Sequence, residues 1–281
     1  MTRGLVRRTI RDWKGRFGLT VVILFVLIAI SADVLAPKDP YATDLANVLA
    51  PPGTPGFFLG ADEVGRDMLS RTIYGARVSL LVSASALAFG LGLGVPIGVL
   101  SGFAGGKIDT VLMRVVDILL SLPRLLIAIV LVATYGIGFL SLIIAIGFTD
   151  IAIFARLARS SVLSLKERAF MRGANALGLG WSRVLFRYLL PNVMAPILVQ
   201  TTFSLAAVVL ITGGLSFLGV GVQYPTPEWG AMIASGRNYM RQAPHLIIVP
   251  GIALASLVLG INLLGDALRD VFGGQTVFIA L

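Results

Sequence analysis

The chain has 281 residues, 57% hydrophobic and only 13% charged, with a mean hydropathy of +0.91 and a formal net charge of +9. A soluble domain is nearer a quarter charged, so this composition lacks the polar surface to cover a core of that size and places the bulk of the chain in lipid. Cysteine is absent and His245 is the lone histidine, which excludes disulfides and thiolate metal sites and argues against a histidine-built metal centre. No metal site is expected.

The basic excess is not interleaved with aromatics on a polar face, as a nucleic-acid footprint requires. It gathers at the ends of apolar runs, which is the pattern of membrane topology. No nucleic-acid partner is expected.

The N-terminal stretch carries Arg3, Arg7, Arg8, Arg11, Lys14 and Arg16 ahead of an apolar run from Phe17 to Leu35. At about 1.5 Å rise per residue, that run spans the hydrocarbon layer of about 30 Å. The basic region is long for a signal peptide, and Pro37–Lys38–Asp39–Pro40 offers no small-residue cleavage site. An uncleaved first helix is expected, with the N-terminus in the cytoplasm. Residues 37–76 are polar and rich in proline and glycine, and should lie outside the far face of the membrane. Their acidic cluster Asp62, Glu63 and Asp67 is expected to be neutralised by Arg66 and Arg71 rather than to hold a metal.

Further apolar blocks cover 78–101, 115–134, 137–157, 193–220 and 246–268. The first of these contains Gly90, Gly92, Gly94, Pro96 and Gly98, and small residues let helix backbones approach in lipid. The second is interrupted by Pro123 and Arg124. Six spans put both termini on one side. The arrangement leaves 17 of the 23 basic residues inside, against Lys38, Arg66, Arg71, Arg77, Arg237 and Arg241 outside, as the positive-inside rule requires. The fold class is therefore an all-α membrane protein of six transmembrane helices. Its expected units are 1–36, 37–76, a core at 77–272 and a tail at 273–281.

Between the fourth and fifth spans, residues 158–192 form an unusually long inner loop. Read as a helix, residues 166–177 align Phe170, Ala174 and Leu177, with Trp181 continuing the stripe. Gly178 and Gly180 should end it in the left-handed conformation, and Ser182 should cap a second helix running to Leu190–Pro191. Such a stripe suits insertion into a partner's groove. On periodicity alone, lying on lipid or on its own bundle is the readier expectation.

This loop resembles the signature of permease subunits of binding-protein-dependent ABC importers, written E-A-A-x-x-x-G, nine residues, I-x-L-P. Arg172, Gly173, Ala174 and Gly178 occupy its opening frame, and Tyr188, Leu190 and Pro191 its close. Arg172 stands where glutamate is usual, Gly173 replaces an alanine and Tyr188 replaces an isoleucine. The stretches FFLGADEVGRDMLSRTIYGARVSL (57–80) and GGLSFLGVGVQYPTPEWGAMIASGRNYM (213–240) are similar to the peptide and nickel permease group, and the chain looks most like its C-type dipeptide/oligopeptide members. The resemblance implies a bacterial inner-membrane protein and four kinds of consequence. A related permease completes a heterodimer, and two ATP-binding subunits carry ATP and magnesium. An extracytoplasmic substrate-binding protein delivers short peptides. Phe170, Arg172, Gly173, Ala174, Leu177, Gly178, Trp181, Leu190 and Pro191 dock the ATPase.

Other residues are assigned by position. Gln200, Thr201, Thr202, Ser204 and Thr212 are the polar groups of the fifth span and candidates to line a path, although such hydroxyls often bond their own helix carbonyls. Glu228, Trp229, Arg237 and Tyr239 are candidates for binding-protein contact. Asp117 and Asp150 are expected to pair with Arg114, Arg156 or Arg159, and His245 to be a solvated boundary residue. No G-x-x-x-x-G-K-[ST] loop occurs, and Gly105–Gly106–Lys107–Ile108 lacks its spacing and hydroxyl. The chain is thus not expected to be an enzyme, or to carry a cofactor. Nickel or glutathione as cargo, and an ion-coupled secondary transporter working without an ATPase, are the alternative readings.

Overall fold

A computed structural model describes residue 9 and residues 11–169, 171, 173 and 179–273. Its main helices are α1 (Trp13–Ile30), α2 (Met68–Ala104), α3 (Gly106–Ser121), α4 (Arg124–Tyr135), α5 (Phe139–Lys166), α6 (Leu190–Phe217), α7 (Trp229–Gly236) and α8 (His245–Gly273). The described residues hold two isolated bridges, Thr54 with Phe57 and Ala61 with Asp67, and are otherwise helix and loop. Among the described residues, five helices are long and apolar enough to cross a membrane: α1, α2, α5, α6 with the turn before it, and α8.

The sixth expected span, 115–134, is not one helix. α3 and α4 meet at 95°. Leu122 is extended and Pro123 stands at the N-cap of α4, because the residue before proline is pushed out of the helical region. Other boundaries also move. α2 starts ten residues before its apolar block and reaches about 55 Å at 1.5 Å per residue, well beyond the hydrocarbon layer. α5 runs to Lys166, so the first part of the expected inner loop is helix.

α2 and α5 form the closest helix pair. Gly90, Gly94, Gly98 and Gly102 recur every four residues and so share one face of α2. A β-carbon at Gly94 would stand 2.6 Å from the Ile151 carbonyl oxygen, and one at Gly102 would stand 2.9 Å from the Val162 β-carbon. Gly98 abuts Ala155 and Ala158, and Gly147 of α5 returns the contact against Ala86 and Phe89. Gly92, off this stripe, has nothing within 4 Å. α1 and α8 approach in the same manner at Gly18 and Gly260. They run antiparallel, with Gly18 beside Leu264, and Ala29 sharing a cluster with Leu246. Trp13 and Gly273 therefore lie at one end of the bundle.

The opposite end is capped by residues 37–67. Phe57, Ala50 and Ala61 make a small core under this segment, and the Lys38 ammonium sits 3.4 Å over the Phe57 ring. Asp62 accepts from the Arg66 Nε at 2.6 Å and faces the Arg71 Nε at 3.3 Å, while Arg66 also reaches Glu63. Asp62 and Glu63 are neutralised by arginines, as expected, while Asp67 instead accepts from the Ser70 N–H and hydroxyl at the start of α2. Arg71 ties the cap across the chain by donating to the Pro40 and Pro225 carbonyls. His245 is not solvated: it is 7% exposed, with Nε2 3.1 Å from the Ala61 carbonyl oxygen. The cap folds down over the start of α8 and encloses it.

Filling the α2–α5 seam should be costly where filling its flank is not. Gly98→Leu is expected to lower thermal stability in detergent by the equivalent of about 1–3 kcal/mol, the usual cost of overpacking. Gly92→Leu should leave the unfolding midpoint unchanged.

Candidate functional site

The end of the bundle that holds Trp13 and Gly273 also holds the turn between α5 and α6, and it is built to be stiff. Asp109, in the first turn of α3, accepts from the Arg159 Nε at 2.5 Å and Nη2 at 2.7 Å, and also bonds the Ser101 hydroxyl. Lys166, the last residue of α5, donates to the Gly102 and Phe103 carbonyls at 3.0 and 2.7 Å. These carbonyls belong to the unsatisfied last turn of α2, where a cation is favoured. The side chains of α5 thus tie down the ends of two neighbouring helices just before the chain leaves the bundle.

Of the expected docking residues, Phe170, Arg172, Ala174, Leu177 and Gly178 lie outside the described residues. Gly173 is exposed and helical. Met171 is buried and joins the same hydrophobic cluster as Val184, Leu189, Val193 and Ile197, with Leu190 and Tyr188 packed against it. The spacing rule missed Met171 because it followed the stripe of Phe170, one position away. Two cap assignments need correction. Gly180 has no positive φ, and Val184 N–H donates to its carbonyl at 3.2 Å. Helix begins at Trp181, so Ser182 lies within the first turn and does not cap it.

The second arm does not stop at Leu190–Pro191. Val184–Leu189 is a π-helical turn that runs straight into α6, and Leu190 N–H bonds back to the Leu185 carbonyl. Pro191 sits in the first turn of α6, where its missing N–H is tolerated. The Asn192 side chain donates to the Tyr188 carbonyl at 2.6 Å. The wider turn makes room for the proline without a break. From Val184 to Phe217 the chain is continuous helix over 34 residues, with Pro196 inside it.

Along α6 the polar residues divide. Thr201 and Thr202 bond the Ile197 and Val199 carbonyls of their own helix, and Gln200 donates to Ser204 at 3.2 Å. Ser204 and Thr212 are buried within the bundle. Thr212 lies 3.5 Å from Ser83 of α2, and one turn further out Ser79 donates to Glu228 at 3.1 Å. Ser79, Ser83, Thr212, Ser216 and Glu228 are all buried, so a polar seam joins α2 to α6 beneath the cap. Ser79 and Ser83 went unnoticed in the sequence, although two hydroxyls four residues apart in an apolar helix were the available signal.

Glu228 and Trp229 are both 0% exposed, which corrects their expected place on an outer contact surface. Trp229 donates to the Thr72 carbonyl at 3.0 Å and meets Phe25 edge-on at 5.6 Å. Gly75 is the residue that leaves room for its ring. Glu228 caps α7 by accepting from the Ala231 N–H at 3.0 Å. Burial without a cation pushes its carboxyl above the ordinary 4.5, opposed by the hydrogen bonds it accepts. Arg237 is exposed and Tyr239 half-buried, so those two remain at the surface.

Asp117 pairs with Arg156, one of the partners expected. Asp150 does not follow: it pairs with Arg124, at the break between α3 and α4. The sequence pattern concealed this pair because the two residues are 26 positions apart and meet only through the bend at Pro123. Among the described residues no group of three or more acidic or histidine side chains could hold a metal.

Bundled apolar helices, a polar seam under a folded cap and a long helix rooted in the core at the opposite end are the build of a membrane-embedded transport subunit. Comparisons with known proteins agree. The family described as "Binding-protein-dependent transport system inner membrane component" matches residues 94–275, and the N-terminal transmembrane domain of oligopeptide transport permease C matches residues 2–52. The chain belongs to this family of inner-membrane permease components. It is 42% identical to the di/tripeptide transport system permease protein DppC of Pseudomonas aeruginosa, covering 92% of this chain and 87% of that one. It is 38% identical to the nickel transport system permease protein NikC of Escherichia coli, covering 92% and 93%. A chain of the inward-facing MetNI methionine ABC transporter shares the fold, with a TM-score of 0.60 at 20% identity over 74% of this chain and 98% of that one.

The buried carboxyl carries a pH signature. A raised folded-state pKa means that the native state holds the proton longer than the unfolded state, so stability falls as pH rises from about 4.5 through the raised value. Glu228→Gln should remove this loss. The variant is expected to melt at or above the wild-type temperature at pH 8, and the difference should close below pH 4.5 in scanning calorimetry.

Proposed function

We propose that this chain is one of the two membrane-spanning halves of an ATP-driven importer of short peptides. Three relatives that are 37–42% identical carry dipeptide or di/tripeptide transport in their names, which supports peptides as cargo. NikC at 38% identity supports nickel as a second reading. The chain pairs with a second, homologous permease, two ATP-binding subunits and an extracytoplasmic substrate-binding protein. ATP and magnesium reside on the ATP-binding subunits, and this chain catalyses no reaction. Both termini and the 167–180 turn face the cytoplasm in this reading, which the distribution of basic residues supports. The 37–67 cap then faces the binding protein, with Arg237 and Tyr239 among the exposed groups that meet it.

The observation that carries the mechanism is the unbroken helix from Val184 to Phe217. A docked ATPase moves the turn before this helix. Because the helix is continuous from Val184 to Phe217, displacement at its near end passes along it to Thr212 and the buried seam against α2. The π-turn absorbs Pro191 without a hinge, and Met171, Val184 and Leu189 root the near end in the core. α6 then moves as a lever against the α2–α5 pair, and the path opens alternately to the two sides.

Leu190 packs against the cluster that roots the lever. Leu190→Asp is expected to leave the subunit assembled and the complex hydrolysing ATP, while ATP-dependent uptake in proteoliposomes falls at least tenfold. Uptake at the wild-type rate would remove the lever mechanism.

A further inference from the structure

Arg124 and Asp150 pair across the break between α3 and α4, within the helices that build the bundle. Asp150 lies eleven residues into the 28-residue α5, in the interior of a membrane-spanning helix. Its side chain is 0% exposed, yet only Oδ1 is bonded, to the Arg124 Nη2. Oδ2 has no partner, and neither has the buried Nε of Arg124. The same two side chains could form a two-bond fork, and here they form half of one. Ionisable groups held in lipid in this state are functional candidates by default.

The surroundings favour an anion. Arg124 is the first residue of α4, a helix whose N-terminus has no side-chain cap. The N–H groups of Leu126 and Ile127 turn back to the Pro123 carbonyl, and the first turn presents its positive end at the break in the span. Arg124 shares the inward stripe of α4 with Ala128 and Val132, which pack into the core beside α5, α2 and α6. Its guanidinium therefore points into the bundle, not to lipid, and 31% of the side chain stays exposed. In secondary transporters, the N-termini of broken helices point at anionic groups of the substrate, and the start of α4 at the break offers the same geometry.

We infer that Arg124 and the N-terminal turn of α4 form a carboxylate-recognition point on the translocation path, with Asp150 as the positioning residue that aims the guanidinium. The group received is the C-terminal carboxylate of a short peptide. This assignment rests on the peptide-importer reading. Exchange is feasible because Asp150 holds the guanidinium by one bond only, which leaves Nε for the incoming carboxylate when the bundle opens. α4 is suited to such opening, since it is joined to α3 by a bend and not by continuous helix.

The test uses the assembled complex in proteoliposomes, with binding protein saturated by one of two probes, so that delivery is equal. The probes are a tripeptide with a free C-terminal carboxylate and the same tripeptide as its amide. Wild type is expected to import the free acid about tenfold faster, the scale of one charge-assisted hydrogen bond. Arg124→Gln should bring that ratio to about one, and Arg124→Lys should hold it in between. The reversed pair, Arg124→Asp with Asp150→Arg, should restore assembly and amide uptake but not the preference. If Arg124→Gln slows both probes equally and the reversed pair restores both with the wild-type ratio, the ion pair is a structural stitch and the assignment fails alone. If wild type imports neither probe in an ATP-dependent manner, the peptide reading itself fails and takes the assignment with it.

Discussion

The rest of the structure depends on how closely α2 and α5 approach. Four glycines at every fourth position let the two backbones touch over about three turns, and no side chain larger than hydrogen fits between them. In lipid there is no hydrophobic gain from bringing apolar helices together, so contact of this kind and buried polar bonds must supply the cohesion. Once the pair is seated, Arg159 and Lys166 are delivered to the ends of α3 and α2, and the exit point of the chain toward α6 is set.

The two ends of the bundle are tied in different ways. At the capped end the bonds join residues far apart in sequence: Arg71 to Pro225, Trp229 to Thr72, His245 to Ala61 and Arg77 to the Ala29 carbonyl. This end is a cross-linked shell. At the opposite end one cluster, centred on Asp109 and Lys166, fastens α3, α2 and α5 together. Between the ends, α4 is held by Ala128 and Val132 on one stripe. The two helices with the least burial, α3 with Val116 alone and α4 with Ala128 and Val132, are thus the pair that flanks the break, while the ends of α2 and α5 stay tied. A transporter that opens alternately to two sides needs this distribution of stiffness.

Much of this was legible in the residues. Apolar blocks located five of the helices, since hydrophobic length reports directly on what lipid accepts. The glycine run near residue 94 announced close packing, although only register on the helix separates the contacting Gly94 and Gly98 from the idle Gly92. Pro123 was visible as an interruption, but a 95° bend follows from where α4 finds partners, which is a tertiary matter. The same limit hid the Arg124–Asp150 pair and the seam of Ser79, Ser83 and Thr212. Glu228 and Trp229 looked like surface anchors because both are polar or amphipathic and lie in a loop-rich stretch. They are buried because the cap and Gly75 make room for them. Pro191 looked like the end of a helix, and the π-turn before it is a local solution that composition does not announce.

In the proposed lever mechanism α2 and α5 move as one body while α6 moves against them. Because the chain has no cysteine, two introduced cysteines can be spin-labelled without background from this subunit. Leu100 on α2 and Ser160 on α5 are exposed, and their separation can be measured by pulsed electron resonance in the assembled complex. The distance distribution is expected to be the same in the nucleotide-free and ATP-bound states. A shift of several ångströms between them would contradict the account.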